Sequence, residues 1–477
     1  GIAVDGGQVW FGAGGNLVRV ALQTIGGATD RAVPVAFSAA GTPDNRIRID
    51  ITLSNAGTTA LAGDALYMYS PGAFAAKTTF SVGPGATVVL ADAFGNIGTS
   101  ANLAVGAVRL RTTTGNAADL QASVRTTRVT PAGAAYGYSL EAQTIPGSLG
   151  AGSQALLFTG ARTTEASIFG MYSMTGATGT LTLSAPDGTV RGTTPFTIAI
   201  NTREEFNPAA TAFGVDPEPG DVIRVAVSTG SLQPYVNVLD LGTYDVAAFV
   251  PVQPLSEAVV PNAGVLVGAN STEFVSDLFL SNPDSAASSA VSVTYYPLYG
   301  PPTPLTQTIT LAPLETRVLQ NVLNTLYGLT SGQGSLFISA TVPVDAGVRV
   351  GARTNGADYA GFAPVVPGAA GLASASGTAF GLPQTARRRT NLLFYNRGHG
   401  GSVTVTGFRA DGTQAGQVQV PLGDHAPGRL DSVFAALGVT NQPGGRVRVD
   451  VPSGMNVYAW TASIDNETGD LDLAAVD

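Results

Sequence analysis

Two histidines, His399 and His425, supply the only imidazoles among 477 residues, and cysteine is absent. Nucleophilic catalysis would therefore need a serine or threonine activated by one of them. His399 stands in Asn396-Arg397-Gly398-His399-Gly400-Gly401 and His425 in Gly423-Asp424-His425-Ala426-Pro427, both turn sequences. Neither is accompanied by a Gly-x-Ser-x-Gly elbow. No histidine pair has the helical spacing of zinc ligands. Asp465-Asn466-Glu467-Thr468-Gly469-Asp470-Leu471-Asp472 and Asp216-Pro217-Glu218-Pro219-Gly220-Asp221 are rich in the oxygen ligands calcium prefers. Neither follows the spacing of a strong calcium loop, so both read as solvated turns. Glu204 and Glu205 are neighbours, and on a strand they point to opposite faces. That is a poor acid–base pair for a glycosidase. The expectation is a non-enzyme with no metal and no cofactor.

Charge and aromatics leave binding chemistry open. Arg387, Arg388 and Arg389, with Arg397, are the one basic concentration. They read as a solubilising strand edge or as an ionic contact for the acidic run that holds Asp470 and Asp472, offered by a neighbouring subunit. Net charge is −9 with a pI near 4.8. That balance argues against nucleic acid and anionic membrane surfaces as partners. Lys77 is the sole lysine among 24 basic residues. Trp10 and Trp460 are the only tryptophans and read as core or interface before sugar platforms. Asn270-Ser271-Thr272 and Asn466-Glu467-Thr468 match a glycosylation sequon at near-chance frequency.

The elements that position these residues repeat. An aromatic or Leu followed by Gly closes a weakly helical stretch at Phe94-Gly95, Phe213-Gly214, Tyr327-Gly328 and Leu437-Gly438, at intervals of 119, 114 and 110 residues. A β-rich run ends at Leu53-Ser54-Asn55, Met171-Tyr172-Ser173, Leu280-Ser281-Asn282 and Phe394-Tyr395-Asn396, at intervals of 118, 109 and 114. Two markers in phase mean one domain type used four times. The units read as 28–142, 143–254, 255–368 and 369–477, after an N-terminal segment 1–27. Joints such as Val250-Pro251-Val252-Gln253-Pro254 are short and Pro-rich, so a semi-rigid rod or arc is expected. Gly is 60 residues, Pro is 29 and charged residues are only 12%, a composition of β-structure with tight turns.

The third unit shows the pattern best. Strands are expected at Phe274–Leu280, Val291–Tyr296, Leu305–Leu311, Leu336–Ala340 and Ala346–Val350. Val318, Leu319, Val322, Leu323 and Leu326 have helical spacing before Gly328. Short strands, regular turns and one helical crossover per unit describe an all-β, immunoglobulin-like sandwich. The phrases FVSDLFLSNP, QTITLAPLETRVL and GSLFISATVPV resemble the tandem immunoglobulin-like repeats of large secreted bacterial surface proteins. The resemblance covers the third and fourth units best and implies extracellular display, adhesion or assembly.

The first 27 residues hold two strand-like runs, Gln8–Phe11 and Leu17–Ile25. They fold back as edge strands of the first unit, donate to another subunit, or belong to a unit cut short. With strand donation, Val9, Trp10, Phe11, Leu17, Val18, Val20 and Leu22 are the apolar anchors. The receiving edge is placed near Val457, Tyr458 and Trp460. A chain beginning Gly1-Ile2, low in charge and without an apolar run of ~18 residues, reads as processed, exported and not membrane-spanning. The expected function is an extracellular or cell-surface structural protein polymerising head to tail with copies of itself. The runner-up is a monomeric adhesin or carbohydrate-binding stalk whose partners are glycans or other surface proteins. A third reading is a non-catalytic accessory region of a secreted hydrolase.

Overall fold

The computed structural model describes residues 2–5, 8–13, 16–21, 29–39, 46–69, 74–95, 97, 104–129, 135–206, 209–268, 272–299, 303–354 and 357–476. Three short strands, β1 (Ile2–Asp5), β2 (Gln8–Ala13) and β3 (Asn16–Ala21), form an antiparallel sheet of their own. The first unit contains β4 (Arg31–Ser38), β5 (Arg46–Asn55), β6 (Leu61–Tyr69), β7 (Phe74–Val82), β8 (Thr87–Leu90), β9 (Ala104–Thr114), β10 (Leu120–Val129), β11 (Ala135–Glu141) and β12 (Gln143–Thr144). The second contains β13 (Leu149–Gly150), β14 (Gln154–Phe158), β15 (Glu165–Ser173), β16 (Ala177–Ser184), β17 (Val190–Ile198), β18 (Thr202–Phe206), α1 (Ala210–Phe213), β19 (Val222–Asp240) and β20 (Val246–Phe249). The third contains β21 (Leu255–Val267), β22 (Glu273–Ser281), β23 (Ser289–Pro297), β24 (Leu305–Leu311), β25 (Thr316–Leu319), α2 (Val322–Tyr327), β26 (Gly332–Thr354), β27 (Ala357–Pro364) and β28 (Val366–Pro367). The fourth contains β29 (Ser376–Gln384), β30 (Arg388–Asn396), β31 (Gly401–Phe408), β32 (Gln414–Leu422), β33 (Ala426–Leu430), α3 (Val433–Ala436), β34 (Gln442–Asp450), β35 (Val457–Asp465) and β36 (Leu471–Ala475).

One antiparallel plan serves all four. The first sheet of each sandwich runs β7-β6-β9-β4, β17-β16-β19-β14, β24-β23-β26-β21 and β32-β31-β34-β29. The facing sheet runs β8-β5-β10-β11, β18-β15-β19-β20, β25-β22-β26-β27 and β33-β30-β35-β36. The fold is all-β, as expected: four tandem immunoglobulin-like sandwiches. Two central pairings of the immunoglobulin layout recur in each unit, β22 with β25 and β23 with β26 in the third. The next stretch differs, because it crosses to the opposite sheet. In the second and third units that crossing is one unbroken strand, β19 or β26. The sequence pattern divides β26 into two strands at Ala340 and Ala346; it runs through. Turns around Gly115 and Gly454 break the crossing in the first and fourth units. Gln143–Thr144, which the repeat phase assigns to the second unit, pairs with β4 of the first.

Both sequence markers have physical causes. Gly95, Gly214, Gly328 and Gly438 all adopt left-handed φ, between 63° and 77°, where a β-carbon would clash. At Gly328 this closes α2, its N–H donating to Asn324 O. The first unit has turns and no helix at the matching Ala91–Phe94. In the second marker, Asn55, Asn282 and Asn396 are fully buried. Asn282 Nδ2 donates to the carbonyls of Ala287 and Ala312 at 2.8 and 3.0 Å, and Asn396 Nδ2 to those of His399 and Gly423 at 2.9 Å each. One amide ties two turns together at the same place in three units.

The four units close into a ring, not the expected rod or arc. Neighbours touch in the order first–second, second–third, third–fourth and fourth–first, and β11, β20, β27 and β36 meet along the centre. The cause lies in the second sheets. In the fourth unit, Leu392, Phe394, Val457 and Ala459 point into its own core, while Leu393, Trp460, Ala462 and Ile464 join the core of the third. Phe279, Val318 and Phe362 of the third likewise pack on the second, and Tyr235 and Ala248 of the second on the first. A sheet with two apolar faces must be covered on both.

Candidate functional site at the ring junctions

The second sheet of the first unit breaks this pattern. Ile49, Ile51, Leu53 and Val124 fill its core, while the alternate residues are Arg48, Asp50, Thr52, Ser54, Arg125 and Thr127. That polar face meets the fourth unit. Arg125 Nη2 lies 3.0 Å from Asp470 Oδ2, and Arg125 also pairs with Asp472. Asp470 accepts a second bond from Gly137 N at 3.1 Å. Thr87 N donates to Ala410 O at 2.8 Å. Gly381, at φ 72°, approaches so closely that a β-carbon would fall 2.7 Å from Thr52 Cγ2. The closing joint is thus ionic and small-residue in character, whereas each of the other three shares an apolar cluster.

The predicted ionic residues gather here, within one chain. Arg387 Nε donates to Asp465 Oδ2 at 2.9 Å, and Arg388 Nη2 to Asp472 Oδ2 at 2.9 Å. Arg389 donates to Asn466. The basic triplet therefore faces the acidic run of its own unit. The hairpin after β35 brings them together: Asp465 caps it by accepting from Glu467 N and Thr468 N at 3.0 Å each. Burial and Arg125 push the Arg388 guanidinium down to about 9. Burial raises the Asp470 carboxyl against the pull of Arg125 and Arg388. Asp245, on the matching hairpin of the second unit, accepts from Ala360 N at 3.0 Å and is also raised by burial and by Asp470.

The predicted receiving edge is not an edge. Val457, Tyr458 and Trp460 are at most 1% exposed, and β35 is paired by β30 on one side and β36 on the other. Their alternate side chains serve two cores at once, which leaves no open ladder. Val9, Trp10, Phe11, Leu17, Val18 and Val20 lie on β2 and β3, with Val9 opposite Val20 and Phe11 opposite Val18. Their side chains, and all of Leu22, lie outside the described residues. β1 is a third strand that the sequence reading missed, too short to stand out. Among the described residues this sheet pairs with no strand of the first unit.

Apart from Arg397 and Arg389, the other junctions hold residues the sequence reading passed over. Between the third and fourth units, Arg397 grips Glu257 with two bonds of 2.6 and 2.9 Å and lies 4.5 Å over the Phe337 ring. Beside it a cleft of about 170 Å³ is walled by Leu266, Phe274, Leu393 and Ile464, with Arg389 and Arg429 among its polar residues. Between the second and third, Asp277 Oδ2 lies 2.6 Å from Arg162 Nη2 and 3.4 Å from Arg349 Nη1, and Arg349 Nη2 lies 3.1 Å from Glu165 Oε1. Their partners are distant in sequence, so no local motif marks them. His399 and His425 are exposed. Asp221, of the oxygen-rich loop in the second unit, binds Arg191 at 2.6 Å. Among the described residues no group of three acidic or histidine side chains is placed to hold a metal, and no helix is long and apolar enough to cross a membrane.

Asp345 gives this region a pH dependence. It is 2% exposed at the second–third junction, and burial pushes its carboxyl up to about 7 despite Arg224. A carboxyl raised on folding stabilises fully below its unfolded value and loses that stabilisation as pH rises through the folded one. Stability should therefore fall between about pH 4 and 7, by up to about 4 kcal/mol from this group. Asp345→Asn should raise the thermal midpoint at pH 8 and leave it unchanged at pH 4, as calorimetry at the two pH values checks.

No described protein family matches the chain, and no curated protein matches it. Among solved structures it is similar to the tetra-tandem repeat in the extending region of a large adhesion protein, at 13% identity, covering 93% of this chain and 99% of that one with a TM-score of 0.11. A second similarity is to the native conformation of E. coli alpha-2-macroglobulin, at 11% identity and TM-score 0.10, covering 98% of this chain and 31% of that one.

Proposed function

We propose that this is an extracellular structural protein, without catalytic activity, that assembles with copies of itself through β-strand addition. One observation carries the reading: the outer strand of the third unit has no charge or proline of its own. The first sheets of the four units end on β7, β17, β24 and β32. Natural edges are protected by charge or proline. β7 has Lys77, β17 has Arg191 and Pro195, and β32 has Pro421. β24, Leu305-Thr306-Gln307-Thr308-Ile309-Thr310-Leu311, has neither, and its first four residues are exposed. Exposed Tyr299 stands before it. A strand added there would gain main-chain bonds along its length. The sheet β1–β3 of another copy is the proposed donor. Low charge, absence of cysteine and four rigidly joined sandwiches suit a building block outside the cell.

Light scattering and negative-stain microscopy test this. The full chain should form oligomers or filaments. A chain lacking residues 1–27, and the variant Thr308→Lys, should each be monomeric with unchanged circular dichroism. Monomers from the unmodified chain at every concentration would sink the reading. They would favour the second one, a monomeric adhesin, for which the apolar cleft beside Arg389 and Arg429 is the supporting feature.

A further inference from the structure

We propose that the joint closing the ring is a binding site for an oxyanion of sulfate or phosphate size, free or carried on a larger molecule. A cavity of about 100 Å³ lies between the first and fourth units, lined by Arg48, Asp50, Arg125, Thr127, Arg387 and Arg388. Four guanidiniums line it against one carboxylate. Asp465, Asp470 and Asp472, which pair with Arg387, Arg125 and Arg388, are not among the lining residues. Asp50 is itself engaged by Arg48 Nε at 3.1 Å.

Unmet hydrogen-bonding capacity points the same way. Thr127 is 2% exposed and its hydroxyl has no partner. Arg388 Nε and Arg387 Nη2 are buried and donate to no hydrogen-bond partner either. Buried polar groups without partners are costly and rare, and a bound ion is one remedy. A liquid water occupies about 30 Å³, so the space suits one tetrahedral anion. Charge-assisted N–H···O⁻ bonds are the strong kind, and guanidiniums match such oxygens in pairs. The side chains of Arg48 and Arg387 are 40% and 35% exposed. The site therefore opens to solvent and admits an anion borne on a chain. Donors come from both units, so an occupied site would hold the ring shut. Burial that holds Arg388 near 9 is relieved by a negative partner.

The test uses the full chain and two probes, sodium sulfate and a sulfated disaccharide, titrated calorimetrically at constant ionic strength. One-to-one binding is expected. Thr127→Val and Arg48→Gln, one buried and isosteric and the other partly exposed, should each weaken it about tenfold, the loss of one hydrogen bond to a charged group. Tighter binding of the disaccharide than of sulfate, with none to its unsulfated form, assigns the site to a group borne on sugar. Tighter binding of sulfate assigns it to the free ion. Absence of heat with both probes, or binding that neither variant weakens, overturns the proposal. Small-angle scattering of the same sample should give a radius of gyration of roughly 23 Å, the value for a compact chain of this length. A much larger radius overturns ring closure, and the site with it.

Discussion

Trp460→Ala is expected to lower the stability of the third and fourth units together by about 3–5 kcal/mol. The indole is 1% exposed and lies on the outer face of β35, among core residues of the third unit. Truncation opens a space that two units share, and neither can collapse into it alone. Urea unfolding followed by circular dichroism reads the loss as a lowered midpoint at unchanged slope. Oligomeric state should not change, because the side chain reaches no solvent. Wild-type stability with lost assembly would return Trp460 to the assembly surface.

Asp277→Ala should cost a similar amount at the junction before it. The carboxylate is 1% exposed and faces Arg162 and Arg349, and it also accepts from Asn321 N at 2.8 Å. Asn321 is held in the left-handed region at φ 49° and caps α2. Removing the acid takes one carboxylate from Arg162 and Arg349, the latter 4% exposed at its side chain, both of which also pair with Glu165. Breaking a buried ion network from one side costs about 3–5 kcal/mol, since the positive charges stay buried with less compensation. Asp277→Asn should lose less, because its oxygen can still accept from Asn321 N. Thermal midpoints of the two variants decide it: equal losses would mean that the hydrogen bond to Asn321 N contributes nothing and only the charge matters.

Much of each unit was legible because its signals are local. The glycine marker reports a backbone conformation that only glycine adopts freely, and the asparagine marker a buried amide joining two nearby turns. β24 begins and ends where its alternation does. The ring was less legible, because closure joins Arg125 to Asp470 across 345 positions. One signal was available. Leu392-Leu393-Phe394-Tyr395 is apolar on successive residues, hence on both faces, whereas Arg46-Ile47-Arg48-Ile49-Asp50-Ile51 alternates. The first pattern demands a neighbour on each side, and the second allows water or ions on one. Pro-rich joints read as spacers because their stiffness is local, while their direction depends on which faces must be covered. The receiving edge was placed on β35 for a related reason: apolar residues mark strands that are paired and buried on both sides, as β35 is.

The unbroken crossings β19 and β26 divide the ring mechanically. In the second and third units one strand belongs to both sheets, so neither layer slides or peels away without breaking the other's ladder. In the first and fourth units the crossing is cut by turns, and the two layers have separate strands. These are the units that meet at the ionic joint. The molecule is therefore a stiff half-ring closed by two compliant quarters, and under tension the seam between them is where it would give first.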